Sequence, residues 1–131
     1  MLSNKIQIKN KTPLESTEQI NFFLWVNHNY PDLIIFSIPN GGTRHKQEAI
    51  KLKREGVLPG VSDIFCPELK LFIEMKRVKG GTVSKEQKFF LDSMNHLGYT
   101  AKVAKGFEEA KKIMLDIMTS IDNNSNTPTG E

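Results

Sequence analysis

The chain is poor in cysteine: Cys66 stands alone among 131 residues. It therefore forms no intrachain disulfide, and a lone cysteine of this kind suits a reducing compartment, as a small core residue. Long apolar runs are missing too. None approaches the roughly 20 apolar residues of a membrane span. The first residues, Met1-Leu2-Ser3-Asn4-Lys5, are not followed by the apolar stretch of a secretion signal. The expectation is a soluble, cytoplasmic protein. Neither sign of charge dominates, with 18 Lys and Arg against 15 Asp and Glu and a net charge of +3. That balance permits a nucleic-acid partner without requiring one. No internal repeat is visible, and no zinc finger or recognition helix offers base readout.

What is present reads as one α/β domain. A polar arm (1–13) carries Ile6 and Ile8 in alternation, which fits both a short edge strand and a frayed end. Ser16-Thr17-Glu18-Gln19 matches a capping box and predicts a helix. Its apolar positions are Ile20, Phe22, Phe23, Leu24, Trp25 and Val26, and it should stop near Asn29, before Pro31. Asp32 to Ile38 is a β-branched apolar run that predicts a buried central strand, closed by the turn Pro39-Asn40-Gly41-Gly42. Thr43 caps a second helix that ends at Gly56. It carries Arg44, Lys46, Lys51, Lys53 and Arg54 against Glu48 and Glu55. With Arg44 and His45, its N-terminus would attract a phosphate through both dipole and side chains. An ordinary solvated face fits equally well.

Beyond a hairpin, Ser84 caps a third helix with Phe89, Phe90, Met94 and Leu97 inward, ended by Gly98. Tyr99 to Ala104 is a fourth strand. A last helix follows Gly106, with Ala110, Ile113, Met114 and Ile117 inward. The polar stretch from Ser120 is expected to be disordered. The order α-β-α-β-β-α-β-α predicts a mixed four-stranded sheet flanked by helices, in a domain spanning 14–119 between the arm and a tail (120–131).

The chemistry concentrates in the hairpin. One run is Gly60-Val61-Ser62-Asp63-Ile64-Phe65-Cys66; the other is Leu71-Phe72-Ile73-Glu74-Met75-Lys76, across the turn Pro67-Glu68-Leu69-Lys70. Strand alternation puts Glu74 and Lys76 on one face, and the turn can bring Asp63 beside Glu74. Paired carboxylates of this kind offer hard oxygen ligands for Mg²⁺ or Mn²⁺ rather than zinc, with the Met75 carbonyl between them as a further donor. Lys76 would orient an attacking water or stabilise developing charge. The same alternation also fits an exposed acid–lysine pair on an edge strand.

Pro59-Gly60-Val61-Ser62-Asp63, Glu74-Met75-Lys76, and Gly81, Ser84 and Gln87 together resemble the virus-type replication-repair nuclease domain, VRR-NUC, of the PD-(D/E)XK nuclease superfamily. Ile38-Pro39-Asn40-Gly41-Gly42 with Arg44 resembles the segment before that family's second helix. The first motif departs from the family in reading Val-Ser-Asp where Pro-Asp is usual. The resemblance implies a restriction-endonuclease-like core. It implies Asp63 and Glu74 as metal ligands, Lys76 as the catalytic lysine, and Gln87 as a glutamine pointing back to the site. It makes Glu18 a first-helix acid that reaches the metal through water. Gln87 also completes the capping box of Ser84, and those two roles look incompatible with one side-chain orientation.

The activity implied is Mg²⁺- or Mn²⁺-dependent hydrolysis of DNA phosphodiesters. Asn40, Gly41, Gly42, Arg44, His45, Lys46 and Ser84 would contact the DNA backbone. Without an element for base readout, selection by DNA shape follows: a Holliday junction or other branched DNA in replication, repair or recombination. A homodimer suits two equivalent cuts, with the Trp25 and Phe22 face or the last helix as its interface. The alternatives are a nicking or restriction-type endonuclease on ordinary duplex, and an inactive DNA-binding module of the same fold.

Overall fold

The computed structural model describes residues 12–39 and 46–125. Most of the arm, the segment 40–45 and the end of the tail lie outside them. Among the described residues, four helices and four strands follow in the expected order: α1 (Glu15–Asn29), β1 (Phe36–Ser37), α2 (Lys46–Arg54), β2 (Ile64–Cys66), β3 (Leu71–Lys76), α3 (Lys85–His96), β4 (Thr100–Lys105) and α4 (Phe107–Ser125). The sheet order is β1-β2-β3-β4. β1 and β2 are antiparallel, β2 and β3 form the hairpin, and β4 returns parallel to β3 after the α3 crossover.

β3 is the strand around which the layers form. All six of its residues are buried. Alternation sends Leu71, Ile73 and Met75 into a cluster with Phe22 and Val26 of α1 and Ala110 and Met114 of α4. Phe72 faces the other way. It stacks on Phe65 at 4.3 Å and joins Phe90 and Leu91 of α3 and Ala101 of β4. The sheet is therefore covered on both faces, and Glu74 and Lys76 occupy β3 positions on the α3 side.

Four expectations need correction. The Asp32–Ile38 run is not a central strand. Only Phe36 and Ser37 pair, at the sheet edge, and both are exposed. An apolar run reports strand propensity, not position in the sheet, and the centre belongs to β2 and β3. α1 starts at Glu15 with Leu14 as its N-cap, without a side-chain cap bond, so Ser16 does not cap it. In α3, Phe90 and Leu91 are the buried pair while Phe89 and Leu97 are exposed. A helix on one side of a sheet buries a narrow stripe, and apolar residues beside the stripe stay in solvent. Finally, α4 runs to Ser125. The polar composition after Ser120 did not stop it, because no proline or glycine interrupts the chain there.

Candidate metal-binding site

Asp63 lies just before β2, held from two sides. Its backbone carbonyl accepts from the Ile38 amide at 2.6 Å, and its Oδ2 accepts from the Met75 amide at 2.7 Å. The hairpin thus fixes Asp63 against the end of β3 through the backbone of Met75. Glu74 is 1% exposed, and its buried Oε1 has no hydrogen-bond donor among the described residues. Its Oε2 lies 3.7 Å from Lys76 Nζ and accepts from Gln87 Nε2 at 3.3 Å. Lys76 Nζ in turn donates to Gln87 Oε1 at 3.0 Å.

Gln87 holds its orientation through the start of α3. Its Oε1 accepts from the Ser84 amide at 2.9 Å, and its own amide donates to Ser84 Oγ at 3.1 Å, a complete capping box. One side-chain orientation therefore caps the helix and reaches Glu74 and Lys76 together. The two roles are compatible after all, because Oε1 has two lone pairs and Nε2 remains free to donate.

The third acid is Glu15. One carboxylate oxygen each from Glu15, Asp63 and Glu74 lie within 4.8 Å of one another. Glu18, one turn further along α1, goes elsewhere. It is buried; its Oε1 accepts from the Phe107 amide at 3.4 Å at the start of α4, and its carboxylate lies against Gly106. There it complements the positive end of α4. Sequence reasoning missed Glu15 because the capping-box reading began the helix after it. The signal was the pair of acids three residues apart, on one helix face, with Pro13 just ahead of the first turn.

The electrostatics follow from three acids crowded around one lysine. The Glu74 carboxyl is pushed up to about 9, chiefly by burial and then by the neighbouring Asp63 carboxylate, with Glu15 adding and Lys76 opposing. Glu15 is raised by desolvation first and by Asp63 second, again against Lys76. Such a cluster holds protons or a cation. The donor set is all carboxylate oxygen, and the buried Oε1 of Glu74 has no donor among the described residues. Both fit a hard divalent cation.

A groove of about 380 Å³ opens beside Asp63, lined by Lys53, Pro59, Gly60, Val61, Ser84, Glu86 and Gln87. Its floor is tight at Gly60, which adopts φ +89°. A Cβ there would come within 2.4 Å of the Glu86 backbone, so glycine is what lets the loop before β2 lie against the start of α3. Of the expected DNA contacts, Ser84 lines this groove and Lys46 is exposed on α2. Lys53 lines it as well. Asn40, Gly41, Gly42, Arg44 and His45 lie outside the described residues.

Among solved structures, a protein titled "VRR_NUC domain protein" superposes with a TM-score of 0.70, covering 83% of this chain and 91% of its own, at 23% identity. The chain has the VRR-NUC fold. No protein-family model matches the sequence, and no curated protein matches it. The likeness spans nearly all of that structure. Among the described residues, no helix is long and apolar enough to cross a membrane.

Proposed function

We propose that this chain is a divalent-metal-dependent DNA endonuclease. The observation that carries the reading is the convergence of Glu15, Asp63 and Glu74 to within 4.8 Å, with Lys76 beside Glu74. The name of the structural neighbour supports it. Glu15, Asp63 and Glu74 would hold Mg²⁺ or Mn²⁺, with the Met75 carbonyl as a further oxygen donor. Such a cation supplies Lewis-acid activation of water and charge neutralisation at a phosphate.

The side chains divide the remaining work. Lys76 presents an ammonium at the edge of the site, placed to hold the attacking water or meet charge developing on the phosphate. Gln87 fixes both Lys76 and Glu74, so that neither swings when the substrate arrives. The groove with Lys53 and Ser84 receives the adjoining backbone, and the exposed Lys46 of α2 adds positive charge. These contacts position DNA without reading bases, so the substrate in this proposal is branched DNA, selected by shape.

A homodimer belongs to the same proposal. Phe22 is in the core and Trp25 packs among Phe22, Tyr30 and Phe107, so that face is taken. Ile20, Leu24, Ile34 and Phe36 are the exposed apolar residues nearer the sheet edge, and they replace it as the candidate interface.

The test is cleavage of a four-way junction, a flap and a linear duplex with Mg²⁺, Mn²⁺ or excess EDTA. Wild type should cut the branched substrates preferentially and only with metal, while Asp63→Asn and Glu74→Gln should be inactive yet folded. Activity in EDTA, or full activity in either variant, would overturn the nuclease site. Equal cutting of linear duplex would leave the nuclease and remove the shape selection. Light scattering at micromolar protein reports the dimer; a strict monomer that still resolves junctions would remove that part alone.

A further inference from the structure

Glu15 belongs to the first turn of a helix that has no side-chain cap. Such turns fray, since the first amides of a helix lack partners within it. A carboxylate placed there would wander unless something outside the helix held the turn. The residue that does so is Arg77, next to Lys76 in the chain. Its Nη2 donates to the Thr12 carbonyl at 3.0 Å and its Nε to the Pro13 carbonyl at 3.3 Å. One guanidinium thus grips the two peptide units that lead into α1, with the fixed fork geometry that lysine lacks. Strand alternation turns Arg77 away from the Glu74 and Lys76 face and toward the α1 side. Glu18 pins the other end of the same turn to α4.

We propose that Arg77 is a positioning residue for metal binding: by clamping Thr12 and Pro13 it fixes the first turn of α1 and so delivers the Glu15 carboxylate to Asp63 and Glu74. This rests on the metal site proposed above. β3 then supplies Glu74 and, through Arg77, sets Glu15, so the acids of α1 and of the hairpin are coupled through one strand.

The sign of the effect separates positioning from charge. Removing a cation near a cation site would, by Coulomb's law alone, tighten metal binding. Loss of a positioning contact would weaken it. Mn²⁺ binding to the full chain, measured by calorimetry without DNA, reads this directly. Arg77→Met keeps much of the aliphatic stem and removes the donors. It is expected to weaken Mn²⁺ binding about tenfold, as loss of an outer-shell partner does. On a Glu15→Gln background the same substitution is expected to change nothing further. Unchanged or tighter binding in Arg77→Met would overturn the proposal, and so would a full repeated loss on the Glu15→Gln background. If Arg77→Met does not fold, Arg77→Lys carries the same cycle with the same two outcomes, since lysine keeps the charge without the fork. Asp63→Asn distinguishes the two readings: binding unaffected there means that the metal site itself is wrong, whereas loss there with none in Arg77→Met removes only the clamp.

Discussion

Gln87 Nε2 donates to Glu74 Oε2 at 3.3 Å, joining the first turn of α3 to the buried acid of β3. The same amide oxygen accepts from Ser84 and from Lys76. Helix start and candidate chemistry therefore share one side chain, and its substitutions can be sorted by which half they remove.

Gln87→Glu keeps an oxygen for the Ser84 amide but replaces the donor to Glu74 with another carboxylate. It should retain most of the stability and lose cleavage activity. Gln87→Ala removes both halves, costing about 1 kcal/mol of stability for the cap as well as activity. Thermal melts and single-turnover cleavage of the two variants separate the roles; a fully active Gln87→Glu would reduce Gln87 to a cap.

Glu15 and Glu18 should behave differently although one helical turn separates them. Glu15→Gln is expected to weaken Mn²⁺ binding by about tenfold or more, with little change in melting temperature. Glu18→Gln keeps an acceptor for the Phe107 amide but loses its charge at the start of α4, costing about 0.3–1 kcal/mol. Its metal binding should change less than that of Glu15→Gln. Calorimetry and melts of the pair check the assignment, and the reverse pattern would restore Glu18 as the first-helix acid.

The buried Glu74 carboxyl makes a pH prediction for the metal-free protein. Its ordinary value is 4.5, and in the fold it is pushed up to about 9. Between those values the folded chain holds a proton that the unfolded chain has released. Its stability must therefore fall as pH rises through that window. Metal binding runs the other way and tightens with pH, because the cation must displace that proton. Melts across the window should show the decline, and Glu74→Gln should flatten it.

Gly60→Ala should disturb the site from outside it. The added Cβ would press on the Glu86 backbone in a conformation that alanine adopts poorly. A loss of about 1–3 kcal/mol is expected, with a further fall in cleavage as the start of α3 is pushed from Glu74. Undiminished stability would show that the loop relaxes freely.

The element order and the geometry of the hairpin were legible because they rest on local signals. Alternation places Glu74 and Lys76 on one face, and Ser84 with Gln87 marks the start of α3. Glu15 was not legible, because its place depends on where α1 begins: the capping-box pattern marks a start after it, and the contacts of Arg77 with Thr12 and Pro13 ahead of the helix are not written in the local sequence. The edge position of β1 was hidden for a related reason. Isoleucines at 34 and 35 report a strand, but only the pairing of β2 with β3 and of β3 with β4 leaves the outside place to it. The reach of Gln87 beyond its cap also needed three dimensions, since the distance from α3 to β3 is not written in their spacing.

β3 gives alternate residues to two apolar clusters, carries Glu74 and Lys76, and leads directly into Arg77. The proposed metal site is consequently not a detachable module. Transplanting the hairpin loop into another scaffold would move two acids and leave behind the strand neighbours, the glutamine and the clamp that give them their shape. Substitutions that change the proposed DNA contacts without disturbing the core are therefore to be sought in α2, the groove and the sheet edge, since every residue of β3 is buried.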